Sequence, residues 1–311
     1  MDKKDKLILK ELDKDARQSN AEIGKKINLS KDVVNYRIKR LEENEIIQNY
    51  YSIIDYYKLG YYLAKVLIKF ANIGEKGEEQ IVQWLSKKPT VLWVAKTESY
   101  WDVIYTLQVK NLQELIISLE SFKTAFPTVT AEFQILLAQD FVFLNEKYLY
   151  EKKEENKFEN ILINNLKIDT DQKDEKIIKM LEENSRMPLI EIAEKIKLTP
   201  EAILKRIKKL KKIGIIMRFK ARINFEALEL DYNHIYISLK DYSKIKEIEE
   251  YYKRSDFCTF IMKYQGNYHM HLECVTKRGE FRNKLKEFKE LFGNYISEYH
   301  IINIFKEHKL L

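Results

Sequence analysis

The sequence predicts an α+β protein in which one two-domain unit is written twice, and three observations carry that expectation. Residues 2–50 and 171–219 align without a gap at a constant offset of 169, with 18 of 49 positions identical, so the repeated segment is a domain rather than a solenoid unit. Within each copy the apolar residues fall at helical spacing in three blocks. Beyond each copy, apolar patterns follow in the order strand, helix, strand, strand, helix, strand. The chain has 311 residues with only 8 Gly and 4 Pro, which is room for two lobes and few breakers of regular structure.

The repeated unit reads as three short helices. In the first copy Leu7, Leu9 and Leu12 form one face, Ala21, Ile23 and Ile27 a second, and Val33, Val34, Ile38 and Leu41 a third. Ser30 and Thr199 stand where each third helix begins and can cap its free amides, and Pro200 follows where its missing donor is harmless. Only Asn28 and Leu29, or Lys197 and Leu198, separate the second helix from the third. Two helices joined so tightly form a helix-turn-helix, whose second helix can enter the major groove of DNA. Ile46-Ile47 and Ile215-Ile216 then begin an extended stretch that would serve as a wing.

Charge points the same way. The chain carries 55 Lys and Arg against 48 acidic residues, a net +7, which suits a polyanionic partner. Lys25, Lys26, Lys31, Arg37, Lys39 and Arg40 crowd around the first candidate recognition helix, and Lys205, Arg206, Lys208, Lys209, Lys211 and Lys212 around the second. Solvated faces of a lysine-rich protein would look alike one residue at a time, but the same enrichment in both copies favours a binding surface.

Lys4-Asp5, Ile8-Leu9, Asp15-Ala16-Arg17-Gln18-Ser19-Asn20, Glu22-Ile23-Gly24, and Ser30 followed by residues 34–43 closely resemble the N-terminal domain of the Lrp/AsnC transcription regulators. That family joins a winged helix-turn-helix to a ferredoxin-like βαββαβ domain that dimerises and often senses an amino acid, in a chain about half as long as this one. The resemblance implies two winged helix-turn-helix domains and two ferredoxin-like βαββαβ domains in tandem, forming an intrachain pseudo-dimer. The expected boundaries are 1–50 and 169–219 for the winged domains, 51–146 and 220–311 for the ferredoxin-like domains, and 147–168 for the linker. Glu45 departs from the family, which turns there with Gly, as the second copy does at Gly214.

The resemblance implies that each third helix reads double-stranded DNA. In the first copy Lys31, Asn35 and Tyr36 lie off the apolar stripe, and Asn suits a bidentate pair with adenine. The second copy has Leu204 and Lys205 in place of Asn35 and Tyr36, leaving point charges better suited to phosphates. Arg37 and Arg206 would contact phosphate or brace the domain against a carboxylate, with equal weight on each. The candidate DNA contacts are Ser30, Lys31, Asn35, Tyr36, Arg37, Lys39, Arg40, Thr199, Lys205, Arg206, Lys208 and Lys209.

The second half of each unit supports the split βαβ arrangement, in which two helices cover one sheet face. Strands are expected at 62–70, 91–97, 101–109 and 129–138 with helices at 77–85 and 112–125. Copy two repeats the order at 233–239, 245–252, 257–264, 268–275, 279–291 and 295–305. The family commonly carries a Gly followed three residues later by Asp near its amino-acid pocket, and each copy keeps half of that pair. Copy one reads Ser99-Tyr100-Trp101-Asp102 and copy two Gly266-Asn267-Tyr268-His269. Ser99, Asp102, Gly266 and His269 are therefore the effector candidates, with plain hairpin roles equally open for Asp102 and Gly266. A small-molecule effector is an expectation of the family, and loss of the full pair puts a standard amino acid in doubt.

The linker, with apolar islands at Tyr148-Leu149-Tyr150 and Ile161-Leu162-Ile163, is expected to pack in part along the structure. No apolar run is long enough to span a bilayer and the charged start lacks a signal-type core, so a cytoplasmic protein is expected. Cys258 and Cys274 fall on expected strands of the last domain and read as buried free thiols. There is no Walker loop, dinucleotide fingerprint or serine nucleophile elbow.

All five histidines lie in the second copy. Alternation puts His269 and His271 on one face of their strand, with His234 and His300 on neighbouring strands. These are expected to stand with Tyr236, Glu273 and Glu298, opposite Lys65, Asp102, Glu132 and Gln134 of copy one, as a polar layer or as a ligand site. The polar layer is preferred, and no metal or cofactor is assigned. Two function classes follow. The leading one is a non-enzymatic DNA-binding transcription regulator, a pseudo-dimeric monomer with a homodimer as the other assembly. The alternative is an enzyme on the same scaffold, since siroheme decarboxylases resemble this family and include fused forms. Residues 101–106, Trp-Asp-Val-Ile-Tyr-Thr, loosely resemble the aromatic strand associated with them.

Overall fold

The computed structural model describes residues 1–71, 73–150, 158–163 and 167–309, without the side chains of 305 and 306. The chain divides into two units, one of Met1–Leu59, Asn145–Glu159 and Lys167–Leu230, the other of Gly60–Leu144, Asn160–Leu166 and Asp231–Leu311. Like parts of the two copies are thus gathered together. The winged domains make up the first unit and the ferredoxin-like halves the second.

In the first unit, copy one folds as α1 (Lys3–Lys14), α2 (Asn20–Ile27), α3 (Lys31–Glu43) and β1 (Ile47–Ile54). The N-caps explain the helix starts. Asp2 and Ser19 each form a capping box, with Asp5 and Glu22, and Ser30 accepts from the amide of Val33. Ile8, Leu9, Leu12, Ile23, Ile27, Val34, Ile38 and Leu41 are buried, so Ile8 rather than Leu7 completes the first face and Val33 stays exposed. Asn28 closes α2 in the left-handed region, and Glu45 adopts φ 54°, the conformation that Gly214 takes at φ 72° in copy two. A side chain at that position costs about 1 kcal/mol or more that glycine avoids.

Copy two of this unit contributes four more elements. They are α6 (Gln172–Glu183), α7 (Leu189–Ile196), α8 (Pro200–Lys212) and β7 (Ile216–Ile223), with Thr199 capping α8. The two wing strands pair with each other, antiparallel, from Ile47↔Ile223 to Ile54↔Ile216. The boundary expected at residue 50 therefore falls inside a strand. A lone extended stretch would leave its backbone groups unpaired, and the duplicated partner satisfies them.

The contacts across this pair are reciprocal at the repeat offset. The amide of Ala16 donates to Phe219 O at 2.9 Å and that of Ser185 to Tyr50 O at 3.0 Å. Arg17 Nη1 donates to Ser185 O at 2.6 Å, and Arg186 Nη1 to Ala16 O at 2.8 Å. Each guanidinium also lies over an aromatic ring, Arg17 over Phe219 at 5.7 Å and Arg186 over Tyr50 at 5.1 Å. The same surface on both partners is the signature of an isologous, two-fold interface.

In the second unit, copy one supplies β2 (Tyr62–Phe70), α4 (Glu75–Ser86), β3 (Val91–Thr97), β4 (Val103–Val109), α5 (Leu112–Ala125) and β5 (Thr130–Leu144). Between the copies runs the short strand β6 (Phe158–Leu162). Copy two supplies β8 (Leu230–Leu239), α9 (Ile245–Arg254), β9 (Cys258–Gln265), β10 (Met270–Lys277), α10 (Phe281–Phe292) and β11 (Ile296–Lys309). Within the expected linker, Lys147–Leu149 forms a single 3-10 turn and Ile161 is buried in β6, whereas 151–157 and 164–166 lie outside the described residues.

The two four-stranded sheets join edge to edge. Strand β3 pairs with β11, β5 pairs with β9, and β5 also pairs with β2, so eight strands close into a ring. Closure removes the free edges that each sheet would otherwise expose. Helices α4 and α5 cover one core, which includes Val66, Ile81, Leu85, Tyr105 and Phe122. A second core in copy two includes Ile235, Ile248, Tyr252, Ile261, Leu272 and Phe288. Cys258 and Cys274 are free and buried.

Candidate functional site

Two features of the structure carry chemistry: the exposed faces of α3 and α8 in the first unit, and a buried histidine cluster in the second. On α3, Lys31, Asn35, Tyr36 and Lys39 are exposed, Tyr36 to 65%. Asn35 Oδ1 accepts from Asn20 Nδ2 at 3.1 Å, and Asn20 Oδ1 in turn accepts from Arg186 Nη2 at 2.9 Å. This relay orients Asn35, and it exists on one head alone because the offset partners of Asn20 and Asn35 are Leu189 and Leu204. On α8, Leu204, Lys205, Lys208 and Lys209 are exposed. Ser30 and Thr199 spend their hydroxyls on helix caps.

Arg37 and Arg206 act as braces here. Arg37 Nη1 donates to Asp2 Oδ2 at 2.7 Å and Asp5 Oδ1 at 2.8 Å, tying α3 to the start of α1. Arg40 Nη2 adds a bond to Asp5 Oδ2 at 2.7 Å. In copy two Arg206 Nη1 holds Asp171 Oδ2 at 2.8 Å and Asp174 Oδ1 at 2.6 Å. The Arg37 hydrogen bond holds the Asp2 carboxyl down at about 2, with the amides of Asp5 and Lys4 helping. Of the two roles left open by the residues, the geometry assigns the carboxylate pairing.

The turns that carry the four effector candidates meet through Trp101 Nε1, which donates to the Tyr268 hydroxyl at 3.1 Å, and each candidate is engaged locally. Asp102 Oδ2 accepts from the amide of Phe70 at 2.6 Å, and Ser99 Oγ lies 3.0 Å from Thr97 Oγ1, so both serve the β3–β4 connection. Gly266, at φ 145°, would bring a side chain within 2.8 Å of Leu136 Cδ2, which makes it a packing and turn residue. His269 precedes β10 instead of lying on it, and its Nδ1 accepts from the amide of Leu239 at 2.8 Å. The expectation that His269 shares a strand face with His271 is thereby corrected: alternation does not extend past the strand end. Asp102 likewise belongs to the turn and not to the polar layer.

The face of the ring turned away from the helices holds the polar cluster. His234 and His271 are fully buried, with His234 Nδ1 and His271 Nε2 2.9 Å apart and the rings stacked at 4.8 Å. Tyr236 stacks on His271 at 4.4 Å and Trp93 lies parallel to His234 at 6.4 Å. Lys65, 5% exposed, sits 4.7 Å over the Trp93 ring, and Trp93 Nε1 donates to Glu307 Oε1 at 2.7 Å. Burial pushes Lys65 down to about 8, with Glu273 and Glu307 opposing. Burial, helped by Lys65, holds both imidazoles neutral, well below the usual histidine range. His300 stands apart, paired with Glu298 at 2.6 Å.

The sequence reading missed Trp93, Glu307 and Tyr232, whose ring meets that of His234 edge-on at 4.7 Å, in this cluster. It also missed a buried ion cluster in the first unit, where Lys220 Nζ meets Asp13 Oδ1 at 3.0 Å and Glu146 Oε1 at 2.8 Å. A signal existed for Lys220, which alternates with apolar Phe219 and Ala221 and shares its strand face with Arg218, since cations buried on one face need carboxylate partners. Among the described residues no helix is long and apolar enough to cross a membrane.

Comparison with known proteins bears on the winged domains and on the fold. A family model described as winged helix-turn-helix DNA-binding matches residues 1–48 and 170–217. An uncharacterised HTH-type transcriptional regulator of Pyrococcus furiosus is 32% identical over 135 residues, which are 42% of this chain and 90% of that protein. Among solved structures, that of the siroheme decarboxylase NirDL superposes with a TM-score of 0.65 at 16% identity, covering 99% of this chain and 93% of that one, a likeness of fold. The AsnC family transcriptional regulator from Agrobacterium tumefaciens matches 44% of this chain and 90% of its own, with 20% identity and a TM-score of 0.41. The duplicated winged domain, the sheet halves that follow it, the family-model match and the Pyrococcus relative together show that this chain belongs to the Lrp/AsnC family of DNA-binding transcription regulators, as two family units fused in tandem.

Proposed function

We propose that the fused chain performs alone the work of a regulator dimer and reads an asymmetric DNA site with two unequal heads. The observation that carries this is the Arg186–Asn20–Asn35 relay on α3, which has no counterpart on α8. Asn35, Tyr36 and Lys31 are assigned to base edges of one half-site, with Lys39 and Arg40 on the phosphates beside it. Lys205, Lys208 and Lys209 hold the backbone of the other half-site and carry little sequence information. A cytoplasmic protein with a small-molecule effector completes the reading. The test is a titration of duplex DNA at several salt concentrations. Neutralising about six phosphates gives a log-log slope near about −5. A slope near zero, or no binding at low salt, overturns the reading.

A second reading, a tetrapyrrole decarboxylase, is favoured by one observation: a buried layer of neutral His234 and His271 with Lys65 pushed down to about 8. A lysine held near that value can exchange a proton close to neutral pH. Spectral titration of the protein with siroheme discriminates the two. A saturable shift in the chromophore lost in Lys65→Met supports the enzyme, and an unchanged spectrum removes it.

A further inference from the structure

We infer that His234, His271 and Glu273 form a binding site for a single divalent transition-metal ion of the zinc class, within the closed eight-stranded ring. The proposal stands apart from DNA reading and needs no effector.

Three potential ligand atoms, one from each residue, lie within 4.8 Å of one another. His234 Nδ1 and His271 Nε2 are 2.9 Å apart, and Glu273 Oε1 is 4.0 Å from His271 Nε2. Zinc binds imidazole nitrogen and carboxylate oxygen at about 2.0–2.2 Å, which puts neighbouring ligand atoms about 3.3 Å apart in a tetrahedron. The two nitrogens need to open by a few tenths of an ångström, and the carboxylate to close by about 0.7 Å on His271 and up to about 1.5 Å on His234. Two imidazoles and a carboxylate, with water as the fourth ligand, suit zinc, cobalt or copper better than magnesium or calcium, which take oxygen ligands.

An ion between the facing nitrogens would replace the proton they now share. Two neutral rings facing each other share one proton, which leaves the remaining nitrogens, His234 Nε2 and His271 Nδ1, buried without a hydrogen-bond partner among the described residues. Neutral imidazole is the form that binds a metal, and burial already keeps both rings in it. The carboxylate is oriented from outside the triad, because the Tyr232 hydroxyl donates to Glu273 Oε2 and leaves Oε1 on the histidine side. Metal sites are commonly supported by such outer partners. Lys65 lies near enough to Glu273 and both rings to oppose a second positive charge, so it tunes affinity downward.

The test uses the full-length chain stripped of metal with a chelator and titrated with Co²⁺, followed by visible absorption, then with Zn²⁺ as competitor. The expected result is saturation at one equivalent, with the strong bands of low-coordinate cobalt, and loss of those bands on adding one equivalent of Zn²⁺. Tyr232→Phe should weaken binding about 10- to 100-fold. Glu273→Gln should weaken it further, His271→Ala should abolish the bands, and Lys65→Met should tighten binding. His300→Ala, which removes a histidine outside the triad, should leave the titration unchanged. Should His271→Ala fail to fold, Tyr232→Phe and Lys65→Met still decide the matter through their opposite effects. A weak, featureless spectrum of equal strength in every variant, or no saturation near one equivalent, overturns the site.

Discussion

At the scale of single residues, the brace formed by Asp2, Asp5 and Arg37 is repeated intact as Asp171, Asp174 and Arg206. A depressed carboxylate contributes stability that is present above its unfolded value of about 3.9 and lost as pH falls through the folded value. For Asp2 that window runs from about 3.9 down to about 2. Carboxyl chemical shifts followed against pH should show Asp2 titrating near the lower end, and Arg37→Met should return it toward the upper end; an unmoved midpoint would contradict the brace. A different residue pair separates base reading from phosphate holding. Asn35→Ala should relax base preference by about 1 to 3 kcal/mol in one half-site, whereas Lys205→Ala should weaken binding to all sequences alike. Competition assays with substituted duplexes measure both, and a uniform loss from Asn35→Ala would remove it from the base-reading role.

At the scale of elements, the pairing of β1 with β7 depends on what lies beneath it. Lys220 on β7, buried between Asp13 of α1 and Glu146, keeps its charge because the two carboxylates outweigh the cost of burial. Removing one partner of a buried ion pair leaves an uncompensated charge, at about 3–5 kcal/mol. Lys220→Met should lower the stability measured by urea unfolding by that amount, and a loss within about 0.5 kcal/mol, typical of exposed positions, would contradict the account. The elements themselves were legible wherever period and caps agreed: Ser30 and Thr199 start α3 and α8, and Pro200 occupies the first turn of α8 as read. The register between copies was not legible. Nothing in Ile46-Ile47 alone says whether a strand folds back on its own domain or crosses to its duplicate, since both choices satisfy the same backbone groups. The ends of strands were equally hidden, which is why β5 runs six residues past the expected Ala138, to Leu144, and why His269 fell outside β10.

At the scale of the whole molecule, the duplication made the architecture readable, because a sequence that repeats at a fixed offset supplies its own two-fold partner. Arg17 and Arg186 could be seen to coincide, but their reciprocal bonds to Ser185 and Ala16 needed the fold. The chemical difference between the two third helices was visible in Asn35 against Leu204, while the histidine layer was only half visible: His234 and His271 come together as alternation implied, and Trp93 and Glu307 join them from strands whose pairing the sequence does not encode locally. The central claim is that one chain carries two DNA-reading heads of unequal specificity. The most direct test is selection of bound duplexes from a random pool by the purified full-length chain, followed by sequencing. A motif with two half-sites, one strongly defined and lost in Asn35→Ala and the other loose, is the predicted result. A perfect palindrome with equal information in both halves, or no enrichment over the input pool at low salt, would contradict it.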